Sequence, residues 1–72
     1  MRAAGRLGEE LRKAREAAGL TQEKLAFNAD VSRNYISLLE REDKSPTVKL
    51  LLRLCKALGV KASTIVARIE WG

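Results

Sequence analysis

Residues 21–41, TQEKLAFNADVSRNYISLLER, contain two helix starts and one tight turn, and their reading decides the fold. Thr21 is a good N-cap, because its hydroxyl can accept from a free amide of the first turn, and Glu23 complements the positive end of the helix dipole. Leu25, Ala26 and Ala29 then recur at helical spacing and predict a short helix. Asp30 stands where the chain must turn, and Ser32 caps a further helix running to about Arg41. Only Ala29 to Val31 separate the two helices, so they must cross at close range.

The pattern continues on both sides. Leu7, Leu11, Ala14 and Ala18 share one helical face and Gly19 follows as a stop, which predicts a helix over residues 6–18. Glu42, Asp43, Lys44, Ser45 and Pro46 form a polar loop, Thr47 caps a fourth helix to Leu58, and Gly59 closes it. A fifth helix covers residues 62–70, with a weakly marked start. No segment alternates with period two, so strands are not expected. The prediction is an all-α, compact five-helix domain spanning residues 1–72 as a single unit.

Composition fits that size. A chain of 72 residues supports one small core, and with 46% hydrophobic but only 4% aromatic residues that core must be aliphatic. No run approaches the about 18 apolar residues of a membrane span, and no apolar stretch follows the N-terminal basic residues as in a signal peptide. The single Cys55 forms no internal disulfide, in keeping with a reducing, cytoplasmic location. The net charge of +5 is unevenly placed: residues 1–43 hold eight basic and eight acidic side chains, whereas residues 44–72 hold six basic and one acidic. Such an excess suits a polyanion, by long-range attraction.

The spacing of the second and third helices is that of a helix-turn-helix, whose second helix lies in the DNA major groove. On a helical wheel Ser32, Ile36, Leu39 and Glu40 share one side of the third helix, with Tyr35 at its margin. Arg33, Asn34, Ser37, Leu38 and Arg41 occupy the other. Arg matches guanine with a bidentate fork, Asn pairs donor and acceptor with adenine, Ser serves either role, and Leu packs on a thymine methyl. An ordinary solvated helix face has the same composition, so this pattern alone leaves both readings open. Catalysis has little to build on: the chain has no His, one Cys and no Gly-rich phosphate loop. Glu9 and Glu10, adjacent on a helix, point apart and form no acid–base pair. Neither a metal, a cofactor nor a small-molecule ligand is expected.

Leu20–Ala26 and Val31–Arg41, together with Leu7-Gly8-Glu9, Leu11-Arg12, Ser45-Pro46-Thr47 and Ala57-Leu58-Gly59-Val60, resemble the Cro/lambda-repressor-type helix-turn-helix family, also called the XRE family. The resemblance covers roughly residues 6 to 66. It implies a five-helix bundle that regulates transcription by binding palindromic operator DNA as a homodimer, and the shortness of the chain resembles restriction–modification controller proteins. Carried over residue by residue, it places Arg33, Asn34 and Ser37 where the family faces base edges or the adjoining phosphates; these three, with Leu38 from the helical wheel, are the expected base contacts. Phosphate contacts fall to Gln22, Ser32, Tyr35, Lys44 and Lys49, with Tyr35 serving equally well as cover for the core margin. Gln22 also braces the third helix, and Arg15 and Glu40 match an internal ion pair.

The chain departs from the family at three places. Asp30 stands at a turn position usually held by Gly, and Asp tolerates the left-handed backbone better than most residues. Glu42 replaces another Gly and, with Asp43, adds negative charge beside the expected DNA surface. Lys61 replaces a common capping Ser. Arg53 and Lys56 continue the basic stripe of Lys49 on the fourth helix and are read as solvated; Cys55 is read as a small hydrophobe at the core edge. A recognition helix reads few base pairs, so two copies must be joined. With Ile65 assigned to the core, Val66, Ile69 and Trp71 on helix 62–70 are the expected dimer contact, and Leu52 can join it. The rival reading is an antitoxin-like protein-interaction module of the same fold.

Overall fold

A computed structural model describes residues 6–71, with side chains through residue 70. Its elements are α1 (Leu7–Ala17), α2 (Gln22–Ala29), α3 (Arg33–Glu40), α4 (Val48–Leu58) and α5 (Ala62–Trp71), and the described residues include no strand. Hydroxyl caps start three of them. The side-chain oxygens of Thr21, Ser32 and Thr47 accept from the amides of Lys24, Tyr35 and Leu50 at 3.0, 3.0 and 3.1 Å. Each cap is worth about 1 kcal/mol relative to Ala. At α5 the Lys61 carbonyl takes the amides of Thr64 and Ile65 at 3.0 and 3.4 Å, so the helix starts there without a capping hydroxyl among its observed bonds.

The first four helices end alike. Leu20 N–H bonds Arg15 O, Val31 bonds Ala26, Asp43 bonds Leu38 and Val60 bonds Cys55, at 2.9 to 3.1 Å. The residue just before each donor has positive φ: Gly19 (72°), Asp30 (60°), Glu42 (65°) and Gly59 (76°). This is the Schellman end, which satisfies carbonyls that a helix terminus leaves free. Two of the four left-handed positions are filled by acids, at some cost in backbone strain. Glu42 therefore keeps the backbone of the glycine it replaces.

All five helices supply the core. Leu11 and Ala14 come from α1, Leu25, Ala26 and Ala29 from α2, Ile36 and Leu39 from α3, Leu54, Cys55 and Leu58 from α4, and Ile65 from α5. Cys55 is 2% exposed, deeper than an edge position, and burial pushes its thiol pKa up, away from the reactive thiolate. α2 packs on α3 and α4, while α1 packs on α3 and α5. Glu10 is also buried, whereas Glu9 is exposed. Arg6, Lys13 and Arg68 surround the Glu10 carboxylate at 3.7, 3.9 and 3.8 Å, linking α1 to α5.

The first turn of α1 presses on the last turn of α3. A Cβ at Gly8 would overlap the Leu39 carbonyl oxygen and lie 2.8 Å from both Glu40 O and Glu42 Oε2. Two of these are backbone atoms fixed by the end of α3, so neither can swing away. Gly8→Ala is therefore expected to lower the unfolding free energy by about 1–3 kcal/mol, as overpacking does, despite the higher helix propensity of Ala. Urea denaturation followed by circular dichroism checks this; an unchanged or raised midpoint would mean that the two turns separate freely.

Candidate nucleic-acid interface

α3 has one locked face and one open face. Ile36 and Leu39 are buried, and Tyr35 is half-buried against the core, covering its margin. Arg33 and Asn34 are exposed on the first turn, while Ser37 and Leu38 are half-buried on the next. Ser32 spends an oxygen lone pair on its cap, which leaves its hydroxyl hydrogen free to donate. Lys44, in the loop after α3, and Lys49, in the first turn of α4, are exposed. Gln22 opens α2, where the first amides have no intrahelical partner and the dipole favours an anion.

Behind the open face, one carboxylate joins three elements. Arg15 donates from Nε to Glu40 Oε2 at 2.6 Å and from Nη2 to Oε1 at 3.1 Å, a bidentate fork. Its remaining nitrogen, Nη1, donates to the Leu20 carbonyl at 2.9 Å. Gln22 Nε2 donates to Glu40 Oε1 at 3.0 Å, so the first residue of α2 is tied to the last of α3. The side chains of Arg15 and Glu40 are 12% and 4% exposed. The hydrogen bond to Glu40 raises the Arg15 pKa above its ordinary value, against the opposing effect of burial and with the attraction of Glu40 and Glu16 added. A raised cation contributes stability below its unfolded pKa and loses it only above the folded one, so the Arg15 share is constant through neutral pH.

The acids beside the open face are engaged elsewhere. Glu42 Oε2 accepts from the Glu9 amide at 3.1 Å, at the N-terminus of α1, and Asp43 lies 3.4 Å from Arg41. The negative charge expected near a DNA surface is thus directed at a helix dipole and a neighbouring cation. Arg53 is exposed, as read, but its guanidinium is also bonded to the protein. Its Nη2 donates to the carbonyls of Ala29 and Asp30 at 2.7 and 2.9 Å, and its Nε to Ala29 at 3.2 Å. The signal for it was the absence of any basic residue in the last turn of α2, which leaves that negative end for a cation from elsewhere. Lys56 is exposed as read.

The expected dimer residues separate. Val66 is 45% exposed, whereas Ile69 is half-buried against the core of its own chain. The Trp71 side chain lies outside the described residues. Further exposed apolar side chains are Leu52 and Val48 on α4, at 54% and 75%, and Phe27 on α2 at 78%, with Lys24 Nζ 5.7 Å from its ring centre. Among the described residues no helix is long and apolar enough to cross a membrane. No group of Cys, Asp or Glu among them is placed to hold a metal ion.

Comparison with known proteins gives consistent matches. A family profile described as helix-turn-helix matches residues 11–65. An uncharacterised HTH-type transcriptional regulator of Sinorhizobium fredii is 38% identical over 60 residues, covering 83% of this chain and 78% of that protein. The crystal structure of the clp gene regulator ClgR from C. glutamicum superposes with a TM-score of 0.89 at 33% identity, over 97% of this chain and 91% of that one. The restriction–modification controller protein C.AhdI from Aeromonas hydrophila gives 0.82 at 32% identity, over 86% and 90%. Of several longer relatives, the chain spans between 42% and 54%.

The Glu40 network carries a direct expectation. Arg15→Ala strands a buried carboxylate and should destabilise the domain by about 3–5 kcal/mol. Arg15→Lys should recover only part of this, because a point charge cannot serve both carboxylate oxygens and the Leu20 carbonyl. Thermal melting of the two variants tests the pair; a midpoint equal to wild type in Arg15→Ala would remove it from the structure's supports.

Proposed function

The chain belongs to the Cro/lambda-repressor-type helix-turn-helix family of DNA-binding transcription regulators, and on that footing we propose that it binds a palindromic operator as a homodimer, with α3 in the major groove. The observation that carries this reading is the first turn of α3. There Arg33 and Asn34 stand free at the helix end while the opposite face is fixed by Ile36, Leu39 and the Glu40 network. An edge-reading side chain needs both freedom to reach a base and a backbone that does not yield.

In this reading Arg33, Asn34, Ser37 and Leu38 contact base edges. Gln22, Ser32, Tyr35, Lys44 and Lys49 contact phosphates on either side, fixing register without reading sequence. The whole of residues 1–72 acts as one DNA-binding domain, in the cytoplasm, without cofactor or small-molecule ligand. Two copies join through α4 and α5, where Leu52 and Val66 leave apolar surface exposed. Ile69 supports that surface from within, and Trp71 is assigned to the contact on its place in the sequence alone. The join sets two recognition helices about 34 Å apart, one turn of B-DNA.

Selection from a random duplex pool, followed by titration of variants, tests base reading. Arg33→Ala and Asn34→Ala should each cost about 1–3 kcal/mol on the selected site and relax preference at one base pair. Lys44→Ala should weaken all duplexes alike and reduce the salt slope by about 1. Equal weakening of selected and random DNA by Arg33→Ala would sink its assignment as a base reader. Binding to duplex DNA without a salt slope would favour the antitoxin-like reading instead.

Dimerisation has its own check. Leu52→Glu and Val66→Glu place charge on exposed positions, so the helices should form as in wild type, whereas Ile69→Glu would also disturb the core. Sedimentation should show monomers for the paired Leu52→Glu, Val66→Glu variant, with tight binding to the two-half-site duplex lost. A stable dimer in that variant locates the contact on another face.

A further inference from the structure

We infer that Arg53 is a positioning residue for sequence reading: it fixes the turn between α2 and α3 from outside the helix-turn-helix, and so sets the angle at which α3 is presented. The inference rests on the DNA-binding reading above. Its structural basis is one planar guanidinium bridging two consecutive carbonyls, Ala29 O at 2.7 Å and Asp30 O at 2.9 Å from Nη2, with Nε adding a second bond to Ala29 at 3.2 Å. Carbonyls of the last turn lack intrahelical partners, and here the amides of Asp30 and Val31 already donate to the carbonyls of Phe27 and Ala26 respectively. The Ala29 carbonyl therefore depends on a donor from another element, and α4 supplies it.

Three features make that bond matter beyond stability. The turn is short, and Asp30 holds a left-handed conformation (φ 60°) that favours glycine, so its backbone has alternatives once released. α3 is eight residues long and is held on α1 and α2 through Ile36 and Leu39, so the angle of its first turn is set jointly by that packing and by the turn that delivers it. Glu40 anchors the far end of α3 to Arg15 and Gln22, while the near end, which carries Arg33 and Asn34, follows the turn directly. Lys49 stands one helical turn before Arg53 on the same face of α4. A phosphate held by Lys49 and a turn held by Arg53 would then share one rigid element. The charge of Arg53 is directed at carbonyls, and as such it adds no phosphate contact.

The test compares Arg53→Gln and Arg53→Lys with wild type in the full chain, using the duplex selected for wild type and a random duplex. Arg53→Gln should reduce the preference for the selected site about tenfold, while Arg53→Lys, a single donor point, loses only part of it. The salt slope on random DNA should stay that of wild type in both. A slope lowered by about 1, with both duplexes weakened equally, identifies Arg53 as a phosphate contact and overturns the inference. A lowered melting midpoint with unchanged preference reduces it to a stabilising residue and overturns it as well. Amide hydrogen exchange of the free protein supplies a readout that needs no DNA. Asp30 and Val31 should lose protection in Arg53→Gln relative to amides in the middle of α1, and unchanged protection there overturns the inference even if wild type selects no site. Failure of wild type to prefer any duplex, with the exchange result as expected, counts against the DNA reading and leaves the pinned turn standing.

Discussion

Glu40 closes α3 at the end where a carboxylate is least welcome, because the helix dipole there is negative and the side chain is almost wholly out of water. Its presence is tolerable only because Arg15 meets both oxygens and Gln22 shares one of them. That condition ties α1, α2 and α3 into one angular relationship. The same guanidinium holds the Leu20 carbonyl, just past the end of α1, so the entry to the helix-turn-helix is fixed by the group that fixes its exit. With so small a core, apolar packing alone would leave such angles loosely set, since hydrophobic contacts are non-directional. Directional polar bonds at both ends of α3 supply what packing lacks.

A second constraint is the contact between α1 and the end of α3. Gly8 permits it, and Glu42 completes it by turning its carboxylate to one amide in the first turn of α1, that of Glu9. The residue that looked like misplaced negative charge therefore works as a cap contributed from across the fold. Its backbone accepts a left-handed φ to reach that place, a modest strain offset by a charge-assisted bond. Asp30 and Glu42 show that a Schellman end needs the conformation, and tolerates a side chain when that side chain or its neighbours have something to bond.

The elements legible in the sequence were those with local causes. Thr21, Ser32 and Thr47 cap the amides three residues ahead of them, and Gly19 and Gly59 stop the helices just before them, so sequence spacing contains the whole interaction. Predicted and observed helix limits accordingly differ by a residue or so. The exposed and buried faces of α3 followed from the helical period in the same way. Arg53 and Glu42 escaped because their partners lie 24 and 33 positions away, and only the packing of α4 on α2 and of α1 on α3 brings them together. Ile69 was read as surface because nothing in its neighbourhood records how far α5 tilts into the core. Glu10 is a similar case, a carboxylate made interior by helix placement and surrounded by three cations, only two of them on its own side of the fold.

The repeated Schellman ends also bear on time. The first four helices carry their own stops and three carry capping hydroxyls within a few residues, so most of the structure forms through short loops whose closure costs little entropy. Helical domains of this kind fold in microseconds to milliseconds, far faster than a ribosome adds the next residue. A newly released chain is therefore ready almost at once. Folding sets no long delay on what the domain does next.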